Sequence, residues 1–213
     1  MSQQCHAPFI SLEGIDGAGK STHVPAIYRW IGEQGFKWIH TREPGGTPLG
    51  EQLRTLVLNT PMQAETEALM MFAARAEHIH QVILPALKRG DWVVSDRFSD
   101  ASVAYQGGGR ELGVSKVEAL ESWTHPGLQP DLTLLFDLSP EIAAQRLQSG
   151  RGDRDRFELE QTTFFDRVRA AYLQRAQQFP ERFLVLDAAQ SPERVWIRIE
   201  EVLEILKKRS VQA

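Results

Sequence analysis

The sequence predicts an α/β protein whose parallel sheet is covered by helices on both faces. Five short, nearly continuous apolar runs recur along the chain, as strands buried on both sides require. Helical patterns separate these runs. The first run also leads straight into a glycine-rich turn and a helix, the order found at phosphate-binding loops. At about 150 residues per domain, 213 residues predict a single domain over positions 1–213.

The elements follow in chain order. Pro8 to Leu12 is the first strand, ended by Glu13-Gly14. A helix is expected from Lys20 to Gln34, stopped by Gly35. Trp38 to Thr41 is the second strand. Two prolines and two glycines within Glu43 to Pro48 exclude a helix or a ladder there. A helix is expected over Leu49 to Leu58. A long one follows from Glu65 to Arg89, with Leu69, Phe72, Ala73, Ala76, Ile79 and Ile83 at 3–4 spacing and a kink or early end at Pro85. Trp92 to Ser95 is the third strand, ending at Asp96-Arg97. Helices are expected over Ser115–Trp123, Pro140–Gln148, Thr162–Phe179 and Pro192–Lys208. Leu132–Leu138 and Phe183–Leu186 are the fourth and fifth strands. Ser149 to Arg156 reads as a charged loop.

Composition narrows the function classes. With 42% apolar and 24% charged residues the chain is globular rather than disordered. Its 24 Lys and Arg against 28 Asp and Glu give a net charge of −4, so no global basic field holds nucleic acid or an anionic membrane. A lone cysteine, Cys5, excludes an internal disulfide and fits a reducing compartment. No apolar run reaches the roughly 18 residues of a membrane span. Met1 to Pro8 lacks the basic and apolar regions of a signal peptide, so a cytoplasmic location is expected.

The strongest chemical signal is Gly14-Ile15-Asp16-Gly17-Ala18-Gly19-Lys20-Ser21, with Thr22 following. It matches G-x-x-x-x-G-K-[ST] between a strand and a helix. Glycines let the backbone approach a phosphate closely. Successive N–H groups then converge on the anion at the positive end of a helix. Lys20 adds a point charge over the outer phosphates, and the Ser21 hydroxyl can ligate Mg²⁺. A nucleoside triphosphate site follows.

Asp96 and Arg97 close the third strand, at the sheet edge where α/β proteins bind ligands. Asp96 can reach Mg²⁺ and Arg97 can clamp a phosphate, although a plain surface ion pair has the same residue types. Phe72 and Arg75 are neighbours on one helix face. An aromatic in an apolar stripe is more often core, yet this pair would suit a flat base with carbonyl acceptors. Arg151, Arg154 and Arg156 lie in a charge run that is either a solvated loop or a lid over a transferring phosphoryl group. Among the six histidines, His78 and His80 point to different faces, and no zinc site is formed.

These motifs in order, with Thr41 to Pro48 (TREPGGTP), Asp96-Arg97-Phe98, Tyr105 to Arg110 (YQGGGR) and Arg151-Gly152, resemble bacterial thymidylate kinases over essentially the whole chain. The resemblance implies a three-layer P-loop kinase fold with a five-stranded parallel sheet and a short arginine-rich lid at about 148–158. It implies MgATP-dependent phosphorylation of dTMP to dTDP, and a homodimer. On the acceptor side it implies that Phe72 stacks on thymine while Arg75, Ser102 and Gln106 read the base. Tyr105 would then pack on the deoxyribose, Arg97 and Arg54 hold the phosphate, and Asp16 and Glu43 line the acceptor site near the sugar and its phosphate. On the donor side Arg146 and the stretch from Asp187 through Ala188 to Gln190 flank adenine. The implied catalytic set is Lys20, Arg97, Arg151 and Arg156, with Ser21 and Asp96 toward the metal.

Other readings compete. A deoxynucleoside kinase would need a neutral acceptor site, which Arg54 and Arg97 disfavour. A GTP switch would need N-K-x-D, which is missing. A nucleic-acid-dependent ATPase conflicts with the acidic balance.

Overall fold

A computed structural model describes residues 7–148, 156–157 and 160–212. Five parallel strands form the sheet, β1 (Phe9–Glu13), β2 (Trp38–Arg42), β3 (Trp92–Asp96), β4 (Leu132–Asp137) and β5 (Phe183–Asp187), in the order β2-β3-β1-β4-β5. All five lie within a residue or two of their predicted positions. The inner strands are buried along almost their whole length, which is why they read as unbroken apolar runs. The edge strands β2 and β5 are partly exposed.

From β1 the chain runs to the edge strand β2, returns to β3 between the two, then crosses β1 to reach β4 and β5. The connections leaving β1 and β3 thus run in opposite directions along the sheet, and a crevice opens between their carboxyl ends. In register there are Leu12 beside Asp96 and Glu13 beside Leu135.

The helices are α1 (Lys20–Glu33), α2 (Pro48–Asn59), α3 (Ala64–His78), α4 (Leu84–Arg89), α5 (Ser99–Ser102), α6 (Val114–Thr124), α7 (Pro140–Gln148), α8 (Thr162–Gln178) and α9 (Pro192–Gln212). Local chemistry sets α2 clearly. Thr47 caps it by accepting from the Gly50 N–H at 2.9 Å, and Pro48 occupies the first turn, where its missing N–H costs nothing.

Two expectations are corrected. The predicted long helix is divided: a π-helical stretch, Ile79–Ile83, separates α3 from α4. It comes just ahead of Pro85, whose ring and missing N–H cannot continue an α-helical bond to the carbonyl four residues back. The interruption therefore lies upstream of the proline, not in the last turn. Second, Ser99–Ser102 and a π-helical stretch Val103–Gly109 occupy a region to which the pattern assigns nothing, because three consecutive glycines erase its periodicity. Among the described residues, no helix is long and apolar enough to cross a membrane.

Candidate active site

The loop between β1 and α1 turns at Gly14, φ +131°, where a Cβ would stand 2.5 Å from the Phe136 carbonyl oxygen. No side chain fits there. Lys20 is buried and folds back on this loop, donating to the Gly14 and Ile15 carbonyls at 3.0 and 3.2 Å. Burial pulls its ammonium below the usual lysine value and Arg97 adds to this, against the opposing pull of Asp16, Asp96 and Glu13.

The loop floors a cleft of about 500 Å³. Asp16, Gly17, Ala18, Gly19, Lys20, Ser21 and Thr22 line it, as do Arg146, Ala188 and Gln190 from the other wall. Gly14 and Ile15 lie behind, as the acceptors for Lys20. Arg146 donates to the Ala188 carbonyl at 3.0 Å, tying α7 to the turn after β5. Asp96 also faces this cleft, and its Oδ1 is buried without a hydrogen-bond partner. A lone carboxylate oxygen and the Ser21 hydroxyl on one cleft suit a hard cation arriving with a polyphosphate. No group of three or more His, Cys, Asp or Glu among the described residues forms a metal cage of its own.

A second, smaller cleft of about 90 Å³ opens on the other side of Asp16. Glu43, Arg54, Arg97, Tyr105 and Gln106 line it, so six of the nine predicted acceptor residues, counting Asp16, meet there. Arg97 forms the junction. Its backbone sits at φ +72°, a left-handed conformation disfavoured outside glycine. The Ser95 hydroxyl donates to its carbonyl at 2.7 Å. The guanidinium donates to the Gly14 carbonyl (2.9 Å), Asp16 Oδ1 (2.7 Å) and the hydroxyls of Tyr105 (3.1 Å) and Tyr172 (3.2 Å). Burial pushes the Asp16 carboxyl up, but Arg97 and Lys20 outweigh it and hold it below the usual range.

The remaining three predicted residues stand behind this cleft. Phe72 is buried against Val103 and Val117, with the Arg75 guanidinium 4.5 Å from its ring centre. Arg75 donates to Ser102 Oγ at 2.9 Å and to Glu43 Oε2 at 2.7 Å. Arg151 lies outside the described residues. Arg156 does not line the phosphate-loop cleft; it donates to the Val57 carbonyl (3.1 Å) and to Glu67 (2.5 Å), on α2 and α3.

Sequence reasoning missed Glu67, which is fully buried and also accepts from Gln106 at 2.7 Å and from Arg110. It missed Glu13 as well, which accepts from the Phe98 N–H and the Tyr172 hydroxyl beneath Arg97. A signal existed on α3: Glu67, Met71, Arg75 and His78 recur at 3–4 spacing on its buried face, and charge at core periodicity marks a site.

A thymidylate kinase family model matches residues 12–199. The chain belongs to the thymidylate kinase family. This family member is similar to the thymidylate kinase of Cupriavidus pinatubonensis, at 57% identity over 200 residues, covering 93% of this chain and 98% of that one. It is 54% identical over 202 residues to the thymidylate kinase of Paraburkholderia xenovorans, with the same coverage. The thymidylate kinase of Nitrosomonas eutropha is 57% identical over 198 residues, 92% of each chain. The two clefts of this family member thus lie inside the matched region, apart from none of their lining residues.

Proposed function

We propose that this chain transfers the γ-phosphoryl group of MgATP to dTMP, giving dTDP and ADP. One observation carries the reading: in a thymidylate kinase family member, a phosphate-loop cleft and a smaller cleft meet at the Asp16–Arg97 pair. ATP is assigned to the larger cleft, with adenine toward Arg146, Ala188 and Gln190. Thymidylate is assigned to the smaller one, with its phosphate at Arg97 and Arg54 and its sugar against Tyr105. Ser21 and Asp96 would hold Mg²⁺, which neutralises phosphate charge when bound.

The acceptor phosphate is already nucleophilic, so the chain's task is positioning and charge stabilisation. Lys20 exchanges its two loop carbonyls for phosphate oxygens, a stronger charge-assisted pairing. Arg97 keeps Asp16 and exchanges the two tyrosine hydroxyls for phosphate. Phe157, which lines the smaller cleft beside Tyr105, excludes water that would otherwise accept the phosphoryl group. A single domain over residues 1–213, a lid that includes Arg151, a cytoplasmic setting and pairing of two copies belong to the same reading; light scattering reads out the last.

The test is a coupled ADP-release assay across nucleoside monophosphates and thymidine. Turnover with dTMP and none with thymidine is expected. Phosphorylation of thymidine, or ADP release independent of any acceptor, would overturn the assignment.

A further inference from the structure

From Glu43 in the wall of the smaller cleft a line of buried polar side chains runs away from it, and two of its members, Thr41 and His78, have no task in the reaction above. It begins on β2, where Thr41 Oγ1 lies 2.5 Å from His78 Nε2. The other ring nitrogen, Nδ1, lies 2.9 Å from Glu43 Oε1. Glu43 Oε2 accepts from Arg75 Nε at 2.7 Å, and Arg75 Nη2 donates to Ser102 Oγ at 2.9 Å and to the Phe98 carbonyl at 3.2 Å. Thr41, Glu43, Arg75, His78 and Ser102 are all buried.

The hydrogens in this line are fixed by its chemistry. Burial pushes the Glu43 carboxyl up, but the Arg75 charge and the His78 hydrogen bond outweigh it and keep it ionised. A carboxylate only accepts, so Nδ1 carries the hydrogen, and in the neutral ring Nε2 accepts from Thr41. Each Glu43 oxygen then has one donor, and the carboxylate cannot turn. Arg75 is left with one nitrogen, Nη1, buried and without a partner.

The glycine loop is built on the same ring. At Gly46 a Cβ would stand 2.6 Å from His78 Cδ2 and 2.8 Å from Thr41 Oγ1. The second glycine of Glu43 to Pro48 is therefore required because His78 fills the space beneath it.

We infer that His78 is a positioning residue for the acceptor: it fixes the Glu43 carboxylate, and Glu43 fixes the Arg75 guanidinium with one nitrogen, Nη1, left for the ligand. Without the Nδ1 hydrogen, Oε1 would be unpaired in a buried site. It would turn onto Nη2, beside Nε, to form the bidentate pair that arginine and carboxylate favour. Nη2 would leave Ser102, and the guanidinium would shift, carrying Nη1 with it. The inference rests on the assignment of thymidylate to this cleft.

The test compares His78→Asn with His78→Gln. The Asn amide nitrogen falls near the position of Nδ1, whereas Gln carries its amide out toward Nε2. The expected result is a dTMP KM near wild type for Asn. For Gln the dTMP KM rises about tenfold, the loss of one hydrogen bond to a charged group. In both, the ATP KM and the kcat at saturating dTMP stay near wild type. A histidine that only fills space would give the two variants equal dTMP KM values, and that result overturns the inference. Thr41→Val gives a second arm that leaves the ring in position: a smaller rise in dTMP KM is expected, and no rise there overturns the inference even if neither His78 variant folds. Failure of the wild-type chain to phosphorylate dTMP is a separate outcome, which overturns the assignment of thymidylate itself.

Discussion

At Arg97 and Lys20 two cations share one buried corner, and each already donates to the carbonyl of Gly14. Asp16 pairs with Arg97 at 2.7 Å and stands 3.9 Å from Lys20, and two cations held in place in this way are the arrangement expected of preorganised charge stabilisers. Lys20→Ala should reduce kcat by at least about a hundredfold, by analogy with the removal of one such donor. Near-normal kcat in a steady-state assay would remove Lys20 from the reaction. Arg97→Ala should weaken dTMP binding while leaving ATP binding nearly intact; calorimetric titration giving the reverse would move Arg97 to the ATP side. Beneath Arg97, burial and then the charge of Asp100 push the Glu13 carboxyl up to about 8 from 4.5, against the pull of Arg97 and of hydrogen bonds from Tyr172 and Phe98. The folded chain therefore keeps a proton that the unfolded chain releases above pH 4.5. This contribution to stability is complete below that pH and is lost as pH rises through about 8. Between the two, the slope approaches about 1.4 kcal/mol per pH unit. Glu13→Gln should flatten the fall in stability between those limits, measured by urea unfolding; identical slopes for the two chains would contradict it.

Among the elements, those with strong local signals were legible and those set by tertiary contact were not. The inner strands announce themselves because they are apolar on both faces, and Thr47-Pro48 announces the start of α2. The π-helical stretches do not, since i→i+5 bonding has no sequence period of its own at this length. The same holds for the site. The phosphate loop reads directly, because its glycines and Lys20 act through local backbone geometry. Arg75 and His78 share the buried face of α3 at helical spacing, but their pairing with Glu43 across 32 and 35 positions of sequence is something no spacing reveals. Gly107 to Gly109 show the same point from the packing side. Their stretch lies directly on α8, and a Cβ on Gly108 would stand 2.6 Å from the Ala171 Cβ and 3.2 Å from the Arg167 carbonyl oxygen. Gly108→Ala should therefore destabilise the fold by about 1–3 kcal/mol, the usual cost of overpacking a rigid contact. Denaturant unfolding with an unchanged midpoint would contradict this.

Over the whole molecule, β1 and β3 are neighbours in the sheet, and the loop from Gly14 to Ser21, Asp96 and Arg97 gather at their carboxyl ends. Asp16 belongs to both clefts, so the two clefts meet across one side chain. Arg156 pairs with the Val57 carbonyl of α2 and with Glu67 of α3 and does not line the phosphate-loop cleft. The central claim concerns where the two nucleotides lie, and a crystal structure with dTMP and a non-hydrolysable ATP analogue tests it most directly. The account predicts the triphosphate on the loop from Gly14 to Ser21 and the dTMP phosphate against Arg97 and Arg54, across Asp16 from it. A dTMP molecule found beside Ala188 and Gln190, or outside both clefts, would contradict it.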